Sequence, residues 1–185
     1  PSYYGQIMVT TNVHVGNYGY SHSEIESDSV KISGLICRDF NNHNSRYGSD
    51  GDLDEYFKKE KIVCIYDIDT RALVRYIRDK GAMNAIISSL NLDLQSLKKE
   101  LSSVPSMEGL ELSSFVSTQE TYSLGDKSSK YRVAVIDFGV KKSILKCLES
   151  RDVYIKVFPM NVNLDHMNQF NPTGIFLSNG PGDPG

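Results

Sequence analysis

The part of the sequence best suited to chemistry is a loop rich in glycine and proline, residues 178–185 (SNGPGDPG). It follows the apolar run 175–177 (IFL), which predicts a strand. In an open parallel sheet, ligands bind in the crevice outside the carboxyl ends of the strands. Glycines alternating with prolines make a stiff loop whose backbone N–H groups can approach an amide, a carboxylate or a developing oxyanion closely. The alternative is an ordinary tight turn. Because the loop is neither G-x-G-x-x-G nor a Walker loop, it does not favour nucleotide binding.

A second candidate is the pair of carboxylates in Asp67-Ile68-Asp69-Thr70-Arg71, at a predicted strand-to-helix junction. Two neighbouring carboxylates can bind a cation or share a proton. We favour a structural role, in which Asp69 caps the helix and Asp67 pairs with a nearby basic group. Arg71, Arg75 and Arg78 recur at helical spacing, which is more typical of a solvated face or a protein contact than of a phosphate track.

The cysteines and histidines do not predict a nucleophile or a metal site. Cys37 and Cys64 lie in apolar strand patterns and Cys147 lies on a predicted helix, and none stands on a sharp glycine-flanked elbow that would expose a nucleophile. Metal-ligand spacing is also missing among the four histidines and the cysteines, so we expect no metal site. The histidines are His14, His22, His43 and His166.

Composition indicates a globular protein without nucleic-acid or membrane partners. Hydrophobic residues make up 39% of the 185 residues and charged residues 23%, and the net charge is −3. That composition supports a buried core, and that charge creates no positive field for nucleic acid or an anionic membrane. Three cysteines without a C-x-x-C motif suit a reducing compartment, so we expect a cytoplasmic location. Because the chain begins at Pro1 and ends inside the 178–185 loop, we expect it to be part of a longer protein.

The first 116 residues predict a mixed α/β domain. Alternating apolar residues predict a strand from Gln6 to Val15, and apolar runs predict further strands at 30–37, 62–68 and 85–88. Helices are predicted from Asp52 through Lys59, from Arg71 to Lys80 with Gly81 ending it, and from about Asp93 to Ser102.

A different pattern follows a predicted linker at 117–130, where Leu124 is the only aliphatic residue. Strands are predicted at 132–138, 153–158 and 174–178, with helical patterns between them. This βαβαβ order predicts the first part of a doubly wound parallel sheet over 131–185. Three parallel strands and two helices bury too little surface to be stable alone, so we expect this region to begin a larger domain.

Five blocks of the sequence together resemble the small, glutamine-hydrolysing subunit family of carbamoyl phosphate synthase. Two of them (1–7, PSYYGQI, and 14–19, HVGNYG) are similar to its N-terminal domain, as is the third (65–81, IYDIDTRALVRYIRDKG). The other two (135–141, VIDFGVK, and 175–184, IFLSNGPGDP) are similar to the first and third strands of its class I glutamine amidotransferase domain. The blocks occur in the family's order. The chain departs from the family pattern before His14 and in the 41–47 loop, both of which are turns.

The resemblance implies a mechanism and its residues. Ser2, Gly180 and Gly182 match positions that contact the substrate glutamine, and the Gly180 amide matches an oxyanion-hole donor. The nucleophilic cysteine, the histidine and the glutamate of the family are expected beyond Gly185, so we expect no catalytic side chain in this chain and no glutaminase activity from it alone. Ammonia would pass to a large synthetase subunit, which would bind ATP and Mg²⁺, while this subunit would hold no cofactor. The product would serve arginine and pyrimidine synthesis, and the N-terminal domain would serve mostly for docking.

Two alternatives stay open. The chain can be a non-catalytic module that docks on a synthetase, or it can come from another class I glutamine amidotransferase. The second alternative does not explain the 67–81 block.

Overall fold

A computed structural model describes residues 1–183 of the chain. Packing divides these residues into two units: the first unit is Gly5–Ser106, and the second unit is Pro1–Tyr4 together with the chain from Met107 onward. Both units mix helices with sheets in which parallel pairing dominates, which confirms the α/β class. The domain boundaries predicted at 116 and 130 stay a prediction. No helix in the described part of the chain combines the length and the apolar character needed to cross a membrane.

The first unit contains two small sheets of parallel strands. The strands are β1 (Ile7–Val9), β2 (His14–Val15), β3 (Gly34–Ile36), β4 (Asp39–Phe40) and β5 (Val63–Ile65); the helices are α1 (Leu53–Glu60), α2 (Thr70–Lys80) and α3 (Leu94–Ser102), and a 3₁₀ turn spans His22–Glu24. The three-stranded sheet has the order β1-β3-β5, with Ile7 opposite Gly34 and Leu35 opposite Cys64. The second sheet pairs β2 with β4.

Two strand predictions in the first unit were wrong. The alternating segment Gln6–Val15 is not one strand, because β1 pairs with β3 whereas β2 pairs with β4 of the other sheet. The segment 85–88 has no regular secondary structure. Apolar alternation shows that a segment can form a strand, but a partner strand must also be present for the ladder to form.

The predicted helix boundaries in the first unit are close to the observed ones. The Asp69 carboxylate accepts a hydrogen bond from the Ala72 N–H at 3.0 Å and so caps α2, and the Gly81 N–H donates to the Ile77 carbonyl at its end. Asp52 stands at the N-cap of α1 without making a side-chain cap, because its Oδ1 accepts from the Asn44 N–H at 2.6 Å instead.

The second unit is built on a four-stranded sheet. Its elements are β6 (Tyr122–Leu124), β7 (Tyr131–Asp137), α4 (Lys142–Glu149), β8 (Val153–Pro159), α5 (Leu164–Asn168) and β9 (Gly174–Leu177), and a 3₁₀ turn spans Ser113–Phe115. The strand order is β6-β8-β7-β9. Strands β7, β8 and β9 are parallel and are joined by helices, which confirms the predicted βαβαβ order; β6 is antiparallel to β8.

Alternate residues of β7 and β8 build a core on each face of this sheet. On one face Ala134 and Phe158 pack with Met167 of α5, and on the other face Val135 and Ile155 pack with α4. These five side chains are nearly inaccessible to water. Burial on both faces is the normal condition of a parallel sheet, and it explains why the strand sequences are almost continuously apolar.

The segment predicted to be a linker is partly a strand. Tyr122–Leu124 forms β6 and pairs with β8, with Leu124 opposite Ile155. Leu124 also packs against the buried cluster on the α4 face. One aliphatic side chain is enough here because an edge strand needs only one buried face and one ladder of hydrogen bonds.

Candidate functional site

The candidate site is the glycine–proline loop that follows β9, of which the structure describes residues 178–183; Pro184 and Gly185 lie outside the described residues. The loop begins at the carboxyl end of β9, next to the carboxyl end of β7. Ser178 ties the two strand ends together: its hydroxyl accepts a hydrogen bond from the Phe138 N–H and donates to the Asn179 carbonyl, both at 2.9 Å. The predicted position of the loop at the carboxyl ends of parallel strands is therefore confirmed.

The neighbouring loop after β7 is held by the buried carboxylate of Asp137. Its Oδ1 accepts hydrogen bonds from the N–H groups of Gly139 at 2.8 Å and Val140 at 2.7 Å, and its Oδ2 accepts from the Thr118 N–H at 2.7 Å. Only 5% of Asp137 is exposed. Asp137 was not predicted from the sequence, although an aspartate between an apolar strand and a glycine is a signal for a turn stabilised by its side chain.

Position 180 requires glycine because the loop lies very close to the end of β7 there. A Cβ atom at this position would overlap the Phe138 carbonyl oxygen and would lie 2.7 Å from Ser113 Oγ. A larger residue would therefore push the loop away from the end of β7. Within residues 1–183 the N–H groups of Gly180 and Gly182 have no hydrogen-bond acceptor, so both donors remain available to a ligand.

Residues 109–113, which lead into the 3₁₀ turn, contact the other side of the loop. Gly182 forms a bridge with Glu111, and the Asp183 N–H donates to the Leu110 carbonyl at 3.0 Å. The Asp183 carboxylate accepts from the Gly109 N–H at 2.8 Å, and Ser113 Oγ donates to the Pro181 carbonyl at 3.3 Å. These contacts join residues about seventy positions apart, and no signal in the sequence indicated them.

Ser2, the third residue predicted to contact the substrate, lies beside the loop. The Asn179 side-chain amide donates a hydrogen bond to Ser2 Oγ. Ser2 belongs to a turn in which the Tyr4 N–H donates to the Pro1 carbonyl at 2.9 Å, and the Tyr4 ring stacks on Phe115 with ring centroids 5.6 Å apart. The structure thus brings Ser2 together with the loop that carries Gly180 and Gly182. That these three residues bind glutamine stays a prediction.

The three cysteines are free thiols, and two of them belong to the first unit. Cys37 is buried, its Sγ lies 3.9 Å from that of Cys64, and burial raises the pKa of both thiols, that of Cys64 to about 12. Both thiols are therefore neutral near pH 7, whereas nucleophilic attack requires the thiolate. Cys147 is exposed in the last turn of α4, which runs away from the carboxyl ends of the strands. In the described part of the chain, no group of three His, Cys, Asp or Glu side chains is arranged to hold a metal ion.

Of the two carboxylates at the start of α2, Asp69 has the predicted structural role, because it caps the helix as described above. Asp67 adopts a left-handed backbone with φ of 62°, and its N–H donates to the Arg38 carbonyl at 2.9 Å. The prediction that Asp67 pairs with a nearby basic group was wrong. Asp67 contributes to a backbone turn, and among residues 1–183 it has no ion pair. Arg71, Arg75 and Arg78 are all exposed.

Comparisons with known proteins cover the whole chain. Residues 1–87 match the family model "Carbamoyl-phosphate synthase small chain, CPSase domain", and residues 134–185 match the model "Glutamine amidotransferase class-I". Over its full length the chain is 41% identical to the carbamoyl phosphate synthase small chain of Chlorobaculum tepidum and covers 50% of that protein. The corresponding values are 40% and 53% for the small chain of Aquifex aeolicus, and 39% and 47% for that of Thermotoga maritima.

The chain thus spans about half the length of the curated relatives that it matches. Both family models fall in the order predicted from the five sequence blocks, and the second includes the β7 strand and the glycine–proline loop. The chain belongs to the carbamoyl phosphate synthase small-chain family.

Proposed function

We propose that the protein is the glutamine-hydrolysing subunit of a carbamoyl phosphate synthase, and that this chain supplies the backbone donors of its glutamine site. The observation that carries the proposal is the Gly180 N–H, which has no acceptor among the described residues. It belongs to a loop held on one side by the end of β7 and on the other by the segment 107–113. A donor fixed in this way needs no reorganisation when charge develops on a substrate oxygen.

In the proposed reaction, a cysteine thiolate attacks the carbon of the glutamine side-chain amide. The carbonyl oxygen becomes negatively charged in the tetrahedral intermediate, and the Gly180 N–H donates a hydrogen bond to it. A histidine, acting first as base and then as acid, protonates the leaving nitrogen so that ammonia departs. Water then releases glutamate from the thioester. The neutral thiols of buried Cys37 and partly buried Cys64 do not suit this attack, so the proposal takes its nucleophile from outside these 185 residues.

The proposed fate of the ammonia requires a second protein. A large synthetase subunit, which would bind ATP and Mg²⁺, would combine the ammonia with bicarbonate to form carbamoyl phosphate for arginine and pyrimidine synthesis. Passing ammonia between subunits before it is protonated requires a closed path. No cofactor is assigned to this chain, and the proposed location is the cytoplasm.

Helix α2 supports the proposed docking role of the first unit. Thr70 is the only buried residue of this eleven-residue helix. Arg71, Arg75 and Arg78 lie along one side of it with their side chains exposed, and Val74 and Tyr76 are exposed as well. A helix that buries so few of its residues, and that carries three positive charges on one side, suits contact with an acidic protein surface.

The decisive experiment measures glutamine-dependent carbamoyl phosphate synthesis. The complete small subunit, from the full reading frame, is combined with the large subunit, bicarbonate and ATP. The proposal predicts product formation with glutamine and release of glutamate in equal amounts. Product formation that requires free ammonia and does not respond to glutamine would overturn it.

The alternative of a non-catalytic docking module has one observation in its favour, since none of the three cysteines suits nucleophilic attack. The mass of the natural protein separates the two proposals. A mass near 20.7 kDa supports the docking module, whereas a mass about twice as large rules it out. For the 185-residue chain by itself, both proposals predict no release of ammonia from glutamine.

A further inference from the structure

The contact between Ser2 and Asn179 restricts what the Ser2 hydroxyl can do. A serine hydroxyl has one hydrogen to donate and two lone pairs that accept. Because the Asn179 amide donates to Ser2 Oγ, it occupies a lone pair and leaves the hydroxyl hydrogen unused. Within residues 1–183 that hydrogen has no acceptor. Ser2 is only partly buried, so a ligand can reach it.

We propose that Asn179 is a positioning residue that makes Ser2 a hydrogen-bond donor toward an oxygen atom of the substrate. The inference rests on the proposed function and deepens it: Ser2 would recognise an acceptor oxygen of glutamine and not its ammonium group. Asn179 would act through Ser2, without itself touching the substrate.

Both partners of this hydrogen bond are anchored by other contacts. The Asn179 carbonyl accepts from the buried Ser178 hydroxyl, and Asn179 directly precedes Gly180. Ser2 lies in the turn that the Tyr4 N–H closes and that the Tyr4–Phe115 stack holds. The hydrogen bond therefore joins two segments that are fixed independently. Such a bond can orient the hydroxyl group of Ser2, because the two backbone segments keep their positions when the hydroxyl group rotates.

The neighbouring backbone groups support the same chemistry. The N–H groups of Gly180 and Gly182 also have no acceptor in the described part of the chain. With the Ser2 hydroxyl hydrogen, the loop and the Ser2 turn together offer three donors. Carboxylate and carbonyl oxygens accept such donors, whereas an ammonium group only donates. A substrate amide and carboxylate therefore suit this cluster better than an amine.

The test replaces the donor by an acceptor of the same shape, Asn179→Asp. The new carboxylate accepts only, so it captures the Ser2 hydrogen that the substrate needs. In the complete small subunit assembled with the large subunit, we expect KM for glutamine to rise about tenfold while kcat stays within about twofold. Asn179→Ala leaves the hydrogen free but unoriented, and we expect KM to rise only about two- to threefold.

A double-mutant cycle with Ser2→Ala separates positioning from simple charge repulsion. If Asn179 acts through Ser2, Asn179→Asp changes KM by less than about twofold in the Ser2→Ala background. A repulsive effect of the new charge on the substrate would persist in that background at its full size. Asn168→Asp is the matched control, because this exposed residue at the end of α5 precedes β9, at the other end of that strand from the loop, and we expect no change in KM.

The outcomes are distinct. Unchanged KM for Asn179→Asp, or an equal rise in KM with and without Ser2, overturns the role of Asn179 and leaves the proposed function intact. A wild-type complex that does not use glutamine overturns the proposed function and the inference with it. Thermal unfolding of each variant is measured alongside. A rise in KM accompanied by a large loss of thermal stability in both Asn179 variants indicates a structural role and also contradicts the inference.

Discussion

The Phe138 N–H donates a hydrogen bond of 2.9 Å to the hydroxyl of Ser178, so the residues that follow two adjacent parallel strands are joined directly. Ser178 is 8% exposed, and its hydroxyl in turn donates to the Asn179 carbonyl. This side chain therefore helps to hold the loop that carries the proposed glutamine donors at the end of β7.

Replacing Ser178 by alanine removes that connection. We expect the free energy of unfolding to fall by about 1–3 kcal/mol, because the Phe138 N–H loses its acceptor where little water can replace it. Chemical denaturation of the purified protein measures the change. Ser123→Ala in β6, where the side chain is exposed, is the control and should change the stability by less than about 0.5 kcal/mol. Equal effects of the two substitutions would contradict the prediction.

Gly180→Ala tests the close approach of the loop to β7. The added Cβ would overlap the Phe138 carbonyl oxygen, so the loop must shift and the Gly180 N–H must leave its position. We expect glutamine hydrolysis by the complete protein to fall by about a hundredfold or more, the usual cost of losing one oxyanion donor. Gly174→Ala in β9 is the control, since a Cβ there would meet only Val133 Cγ2 at an ordinary 3.9 Å. Retention of full activity by Gly180→Ala would exclude the proposed role of this loop.

The Asp137 carboxylate is expected to be one of the more important polar groups for stability in the second unit. Asp137→Asn replaces one acceptor oxygen by an amide that donates, which opposes the N–H groups now bound there. We expect a loss of about 2–3 kcal/mol in the free energy of unfolding, which is the upper range for hydrogen bonds to charged groups. Denaturation of this variant is compared with that of Asp165→Asn, an exposed position in α5. A loss no larger than that of the control would refute the assignment.

The pH dependence of stability depends in part on the two neighbouring thiols of the first unit. Burial raises the pKa of Cys64 to about 12 from 9.0, so the unfolded chain releases this proton at lower pH than the folded chain does. The contribution of Cys64 is therefore fully present below about pH 9 and is lost as the pH rises toward 12.

Denaturation series between pH 8 and pH 11 on the wild-type protein and on Cys64→Ala measure this contribution. We expect a shallower loss of stability for Cys64→Ala than for the wild type. Cys147→Ala, at an exposed position, should follow the wild-type curve. Identical slopes for all three proteins would show that the Cys64 thiol is not shielded as described.

Charge reversal on α2 tests the proposed docking surface. We expect Arg71→Glu combined with Arg75→Glu to weaken binding of the large subunit by about tenfold or more, with a smaller difference at high salt. The control reverses Lys98 and Lys99 on α3, which are also exposed, and therefore changes the net charge equally. Binding is measured by titration with the labelled large subunit. Equal weakening by both pairs would indicate a general charge effect and no specific contact through α2.

Local patterns in the sequence predicted the parallel strands of the second unit well. The apolar runs located β7, β8 and β9 to within about one residue at each end. In β7 and β8 these runs reflect side chains that are buried on both faces of the sheet, whereas Ile175 and Leu177 of the edge strand β9 are exposed. The Asp69 cap of α2 was predicted for a similar reason: a helix needs an acceptor for its first N–H groups, and the residue beside them supplies it. The family resemblance, carried by short ordered blocks, was confirmed by the comparisons.

Predictions failed where a strand depends on distant partners. The segment 85–88 has a strand pattern but forms no strand, whereas Tyr122–Leu124 forms one inside a segment that has only one aliphatic residue. A strand of three residues gains little from its own sequence. The ladder that it forms with β8 decides the outcome.

By itself, the sequence determined the α/β class, the order of β7, β8 and β9, and the glycine–proline loop at the end of β9, because these follow from local periodicity and from residue types with narrow backbone preferences. Only the tertiary structure decided how that loop is built. It brings Ser2 to Asn179 across 177 positions, and Gly109 to Asp183 across 74. Hydrogen bonds between residues so far apart in sequence form only after the sheet has brought their backbones together, and a local pattern contains no information about them.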